Sequence, residues 1–428
     1  MMSCKSSALC LFDDQEVQMD IVSNKMTDYH PTHIISPNTP IEFLIRGTPD
    51  DYIDLADLRI LLRLKIKKTD GKAWDAATDK VNFVNLPLAS VFQDVFLTIG
   101  DSQVEGGQHA YPYNGYLSSL LQFHPSAKNT HMQAWGWNED TPGKFDDDAN
   151  EGIKFRRKET DNGKIWEIMG PLFLDMTRQS RYLLPSTDIH LKFIPANSSF
   201  ALQTTTATTT YDFSIERCVL YARRIQVMDA VISGHNKGLE KYNAKYPMHH
   251  ISISSFSITK GMSTLTKDGL FSSQVPKMVV IGLLEHDAFN GNIKKSPFNF
   301  QHFDLKKIAL YRNGEMTPAQ TFSPDYDNGF FMRAYNNSME TLNYFNTDDS
   351  NGMTMEHFLN GYNLYAFDLT PDATNQGLHR HLIKSGSLRL EMDFSNPLPH
   401  PVTVVLFAVI DAKLEITKLR DVILSYSR

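Results

Sequence analysis

The residues best suited to metal or nucleophilic chemistry in this 428-residue chain are its fifteen histidines and three cysteines, and their spacing decides how far such a reading goes. His30-Pro31-Thr32-His33 sets two imidazoles three residues apart, a spacing compatible with metal ligation. Pro31 and Pro37 argue against a helix there, and no Cys or acidic cluster completes four ligands. His249-His250 and His379-Arg380-His381 put adjacent side chains on opposite faces of a strand, which favours surface or interface histidines over joint coordination. His286-Asp287 could orient an imidazole, but no Ser or Cys nucleophile stands in a recognisable context. Cys218 falls in a strand-like run and reads as a small core residue. Together with Cys4 and Cys10 it makes an odd, sparse set that fits a reducing compartment. Asn197-Ser198-Ser199 and Asn336-Asn337-Ser338 are glycosylation sequons, which a cytosolic chain would not present to the enzyme. No dinucleotide-binding, P-loop, zincin or nucleophile-elbow motif is present. The expectation is a protein with no catalytic, cofactor-binding or metal residues.

Charge points the same way. Lys and Arg total 42 against 49 Asp and Glu, a net −7, where a chain built to grip phosphates would carry the opposite sign. The basic clusters Lys154, Arg156, Arg157, Lys158 and Arg217, Arg223, Arg224 read as solvated strand faces or loops. With 41% hydrophobic and 21% charged residues the chain can bury a sizeable core. Its longest apolar stretch, Val402 to Ile410, is far short of a bilayer span. Ala8-Leu9-Cys10-Leu11-Phe12 runs straight into Asp13-Asp14, which is wrong for a secretory leader. The chain reads as soluble and intracellular at synthesis.

The elements that must position these residues are strands. Leu58, Ile60, Leu62, Leu64 and Ile66 alternate with Arg59, Arg63, Lys65 and Lys67, the pattern of an antiparallel strand with one buried and one wet face. Similar runs recur at Val95 to Ile99, Ile189 to Phe193, Phe213 to Tyr221, Val279 to Leu284, Ile308 to Arg312, Leu388 to Phe394 and Val402 to Ile410. Asn313-Gly314 marks a hairpin, and a slip of parity in Ile251 to Ile258 predicts a bulge. Helical spacing is confined to Tyr113, Leu117, Leu120 and Leu121 behind Pro112, and to Val227 to Tyr242.

A faint duplication runs through these elements. Phe96-Leu97-Thr98-Ile99-Gly100 answers to Ala309 through Gly314, and Leu172 through Thr177 to Tyr365 through Thr370. Ile189 through Phe193 answers to Leu388 through Met392, and the strand from Phe213 to the one from Val402. The expectation is an all-β chain with short helices in the loops: an arm (1–37), a first jelly roll (38–225), a linker (226–245) and a second jelly roll with the C-terminal tail (246–428), each roll eight-stranded. The aromatic loop segments Tyr111-Pro112-Tyr113 and Phe330-Phe331 are divided between core and subunit interface.

Several stretches together resemble the hexon-like major capsid protein of Polinton/Maverick elements and adintoviruses. They are Pro40-Ile41-Glu42-Phe43, Asp51 to Leu55, Asn85-Leu86, Ser90-Val91-Phe92, Tyr111-Pro112-Tyr113 and Arg181-Tyr182-Leu183-Leu184. Further along stand Lys245-Tyr246-Pro247, Gln274 to Lys277, Asp287 to Gly291, Lys295 to Phe300, Asn360-Gly361-Tyr362 and Phe367 to Asp372. The resemblance implies a structural protein: two jelly rolls perpendicular to a capsid surface, a homotrimer forming a pseudo-hexagonal capsomer, and an icosahedral shell around double-stranded DNA contacted only indirectly. It implies penton or minor capsid partners, synthesis in the host cytoplasm with assembly in cytoplasm or nucleus, and residence in the virion capsid. The loop 124–160, with Trp135, Trp137 and Asp146-Asp147-Asp148, departs from that pattern, and Thr204 to Thr210 reads as an exposed loop. A rival reading is a carbohydrate- or ligand-binding β-sandwich protein, which needs one concave site with convergent polar groups.

Overall fold

The protein is described by a computed structural model covering residues 18–70, 79–108, 110–206, 210–271, 274–375, 381 and 385–426. The first half carries ten strands: β1 (Ile21–Tyr29), β2 (Ile41–Ile45), β3 (Asp51–Lys68), β4 (Val81–Phe83), β5 (Phe92–Ile99), β6 (Ser102–Glu105), β7 (Trp166–Pro171), β8 (Ile189–Pro195), β9 (Leu202–Thr204) and β10 (Tyr211–Val227). The second carries β11 (Ala244–Ile258), β12 (Thr264–Lys267), β13 (Met278–Glu285), β14 (Leu305–Arg312), β15 (Glu315–Phe322), β16 (Leu364–Asp368), β17 (Leu388–Phe394), β18 (Val402–Ile416) and β19 (Val422–Leu424). In the first unit two four-stranded sheets run β1-β10-β3-β7 and β2-β8-β5-β6; in the second, β11-β18-β13-β16, with β19 paired to β18 as a fifth strand, and β12-β17-β14-β15. The ladders within these sheets are antiparallel. Both units therefore have the same order of eight strands in two facing sheets, and the chain is a double jelly roll.

The duplication read from sequence maps onto this repeat. Phe96 to Gly100 and Ala309 to Gly314 cover the ends of the equivalent strands β5 and β14, and β8 matches β17 as β10 matches β18. The third pair aligns only roughly, since Leu172 to Thr177 follows β7 whereas Tyr365 lies inside β16. Asn313 and Gly314 have φ of 52° and 86°, the double left-handed geometry of a tight hairpin, and they join β14 to β15.

Three expectations change. The stretch read as an arm holds β1, which pairs with β10 from Ile21↔Val227 to Tyr29↔Leu220. It is an edge strand whose residues are mostly exposed, so backbone pairing places it and no apolar period announces it. The rest of the arm, residues 1–17, lies outside the described residues. The stretch read as a linker contains the end of β10, the helix Asp229–Leu239 and the start of β11. The predicted bulge in β11 is absent: its register with β18 is unbroken from Ala244↔Ile416 to Ile258↔Val402. Ile251 and Ile253 instead pack with the first unit's core, while Ile258 packs with the second's, so burial of both faces erases the alternation. A bulge does occur in β10, between Ile215 and Arg217. It hands the buried face from Phe213 and Ile215 to Cys218, Leu220 and Ala222.

Candidate assembly surfaces

The seam between the two rolls is built on a helix. Pro112 sits in the first turn of the helix Tyr111–Gln122, where a missing backbone N–H costs nothing, and ten of the twelve residues are buried. Tyr116 stacks on Phe298 of the second unit at 3.9 Å between ring centroids and on Trp137 at 5.3 Å. Tyr113 stacks on Phe289 at 5.3 Å. The Tyr111-Pro112-Tyr113 segment is thus an internal seam rather than an outer surface. Opposite it, the apolar runs of β13 and β18 divide by parity: Val279, Ile281, Val404 and Leu406 fill the second unit's own core, while Val280, Val405, Phe407 and Val409 face the first.

Loop 124–160 takes part in the same seam. Lys128 is 2% exposed, its Nζ donating to Leu120 O (2.8 Å) and to Asn351 O (2.6 Å) of the second unit, with the Trp137 ring alongside. Burial pulls its ammonium down to about 8. Arg156, read from sequence as solvated, is 1% exposed and bonds Phe83 O (3.0 Å), Asn138 O (2.9 Å) and Asp140 Oδ1 (2.7 Å). The helix Glu151–Thr160 turns that one guanidinium inward and leaves Lys154 and Lys158 outside. Asp146 accepts from Ser296 N–H (2.6 Å), and Asp148 pairs with Lys80 and Arg157.

A polar clasp completes the seam. Glu105 at the end of β6 receives the amide protons of Asp175 (2.8 Å) and Met176 (2.9 Å). Asp175 in turn bonds His250 Nδ1 (2.7 Å) and the Ile251 amide (3.2 Å) on β11. Since β11 is a sheet edge, Asp175 and Gln108, which accepts from Ile253 N–H at 3.1 Å, satisfy outward donors that would otherwise lie unpaired. His250 also stacks on Tyr426 at 4.3 Å.

Among the other sequence-predicted residues, His249 and His381 meet at one carboxylate, Asp411, and the rest stay apart. His249 and His250 point to opposite faces, and His249 Nδ1 lies 3.0 Å from Asp411 Oδ1. The His381 amide donates to Asp411 Oδ2 (2.9 Å), while His379 and Arg380 lie outside the described residues. His286 bonds Thr403 and Asn290 rather than Asp287. His30 meets exposed Asp28 at 3.5 Å. Among the described residues no group of three or more His, Cys, Asp or Glu is placed to hold a metal. Cys218 is buried, and desolvation pushes its thiol well above the usual range. Asn197 precedes the short helix Ser198–Ala201 without a side-chain capping bond, and Ser338 is buried against Leu364 O. Of the second basic cluster, Arg223 pairs with Asp57 (2.6 Å), Arg224 bonds Arg46 O (2.6 Å), and Arg217 is exposed. Sequence reasoning did not single out Glu105 or the Asp175–His250 pairing. Nothing local signals two partners 75 residues apart.

Outward, the sheet β1-β10-β3-β7 shows half-buried Leu61, Met169 and Tyr221 framed by ion pairs: Arg59–Asp57, Arg63–Glu167 (2.6 Å) and Lys67–Glu216 (2.9 Å). At the second unit Phe330 is 71% exposed, with Met332 and Phe345 also outward, whereas Phe331 stacks inside on Tyr326 and Phe358. A cleft of about 730 Å³ opens under the helix Asp229–Leu239. Two of its polar pairs, Tyr52–His235 (2.6 Å) and Arg181–Lys245 O (2.5 Å), bond each other instead of converging on a point. No helix among the described residues is long and apolar enough to cross a membrane.

No family model matches the chain. An uncharacterized protein of Caenorhabditis elegans is 22% identical over 393 residues, covering 89% of this chain and 92% of that protein. Among solved structures, a chain of the Sputnik virophage superposes with a TM-score of 0.67 at 14% identity, covering 99% of this chain and 93% of its own. The major capsid protein of mavirus gives 0.57 at 10% identity (98% and 93%), and a chain of the PBCV-1 virus capsid 0.57 at 11% (97% and 100%). At such identities the likeness is one of fold: this chain shares nearly its whole length with the double jelly rolls of viral capsids.

Proposed function

We propose that the chain is a major capsid protein, a structural and non-enzymatic subunit that assembles into a virion shell. The observation that carries this is the contact between its own two rolls. The helix-bearing end of the first roll covers the outer face of the second roll's sheet β11-β18-β13-β16, a head-to-tail contact between units of equal topology. The equivalent face of the first roll, around Leu61, Met169 and Tyr221, meets no such cover within the described chain. The second roll presents Phe330, Met332 and Phe345 beyond its equivalent strand β15. Repeating the internal contact between chains is a heterologous association that ends only by closing into a ring. Six similar rolls from three chains make such a ring pseudo-hexagonal.

The finer reading follows from the same premise. Capsomers tile an icosahedral shell around double-stranded DNA, and a net charge of −7 leaves DNA as contents rather than a gripped ligand. The subunit belongs to the Polinton/Maverick and adintovirus group and meets penton or minor capsid proteins at shell vertices. Electron microscopy of the purified full chain is the test. Hexagonal particles, alone or in sheets and shells, support the reading. Dispersed single subunits that bind glycans would replace it with the ligand-binding alternative.

A further inference from the structure

The clasp between the rolls contains a titratable group that the assembly reading does not use. Glu105 is 9% exposed, Asp175 1% and His250 6%, and the three lie on β6, on the turn Asp175–Arg178 and on β11, so the cluster spans both rolls. A cavity of about 50 Å³ is bounded by Asp94, Glu105, Tyr111, Asp175 and His250, space on the scale of a water molecule or two beside the carboxyls. Charged and titratable groups face Glu105 from every element packed against it. From the turn come Asp175 and Arg178, from the helix Tyr111, from β5 Asp94, and beyond Asp175 lie His250 and Tyr426. Arg178 is committed elsewhere, its Nη2 donating to Asn114 Oδ1 (3.0 Å) and Ser118 Oγ (3.1 Å).

We infer that the seam is a proton-dependent joint: the Glu105–Asp175–His250 clasp holds the rolls together while Glu105 is protonated and loosens when it ionises. Two carboxylates confined in one dry pocket repel, and ionised Glu105 draws water into the small cavity at the seam. The opposing influences are unequal. The amides of Asp175 and Met176 and the Arg178 charge favour the carboxylate, but burial and the Asp175 charge outweigh them and push Glu105 up to about 8. The sign follows from linkage. A carboxyl held above its ordinary value of 4.5 binds a proton in the closed seam that the open seam releases. The stability this gives is complete below about 4.5, declines with rising pH, and is lost above about 8.

Hydrogen–deuterium exchange of the full chain at pH 6 and pH 9, corrected for chemical exchange rates, tests the joint. Between these values the opening equilibrium of the segments 172–178 and 248–254 is expected to rise by up to about a hundredfold, while β14 and β17 change little. Glu105→Gln should abolish that pH response. Asp175→Asn, which removes the repelling charge, should shrink the rise between pH 6 and pH 9; a merely structural defect would weaken protection equally at both values. A seam equally protected at pH 6 and 9 in the wild-type chain overturns the inference. So does an undiminished response in Glu105→Gln. Should Glu105→Gln fail to fold, the smaller rise in Asp175→Asn and the wild-type profile decide the matter.

Discussion

Two sheets of identical strand order, β1-β10-β3-β7 and β11-β18-β13-β16, differ in what lies outside them. The first keeps a solvent face of Arg59, Arg63, Lys65 and Lys67 balanced by Asp57, Glu167 and Glu216. In the second, β13 and β18 are apolar on both sides, with β18 buried at every position from Val402 to Val409. Topology therefore says nothing about exposure; a neighbour does. A sheet covered on both faces reads as a continuous apolar run, as parallel sheets do for the same reason, and a sheet wet on one side reads as alternation. In this chain the difference marks which sheet the chain covers itself and which it leaves to solvent.

The largest effect expected from breaking this contrast is at Phe407. It is 1% exposed and faces the seam, so Phe407→Asp places an unpaired carboxylate between the rolls at a cost above about 4 kcal/mol, read as loss of soluble folded chain. Leu61→Asp on the equivalent face of the first roll should change the stability of the isolated subunit by less than about 1 kcal/mol, measured by denaturant titration. It should nevertheless abolish association. Equal losses at both positions would erase the distinction.

Arg156 tests whether loop 124–160 anchors the first roll. Arg156→Ala leaves Asp140, itself 2% exposed, without its guanidinium partner, and chemical unfolding should show about 3–5 kcal/mol of destabilisation. A loss below about 1 kcal/mol would mean the loop is peripheral. A smaller effect than at Arg156 is expected at Lys128. Its amine is held below its ordinary value, to about 8, so the unfolded chain binds the extra proton between about 8 and 10.5 and stability rises with pH across that window. The gain of wild type over Lys128→Met between pH 8 and 10 should be about 2 kcal/mol by calorimetry. No difference in slope would remove Lys128 from the seam's energetics.

Much of this was legible. The alternation of Leu58 to Lys67 foretold the wet face of β3, Asn313-Gly314 the hairpin of β14 and β15, and the ordered duplication the repeated jelly roll. The runs Val279 to Leu284 and Val402 to Ile410 read as strands from sequence, and their lack of alternation carries the further message that both faces are covered. Other features lacked any local signal. β1 is held by backbone pairing at an edge, so Ser23, Asn24, Lys25 and Thr27 look like loop. Arg156 sits in a basic run whose lysines are solvated, and only Asp140, Phe83 O and Asn138 O explain its burial. Asp175 and His250 meet because two rolls dock, an event that no window of sequence contains.

The central claim is that the wet face of the first roll is covered by another copy. Light scattering of the purified chain measures it directly. The account predicts a native mass of about 146 kDa, three times the 48.7 kDa subunit, with Leu61→Asp and Phe330→Asp both reverting to the single-chain mass. A wild-type chain that stays at 48.7 kDa at high concentration would contradict it.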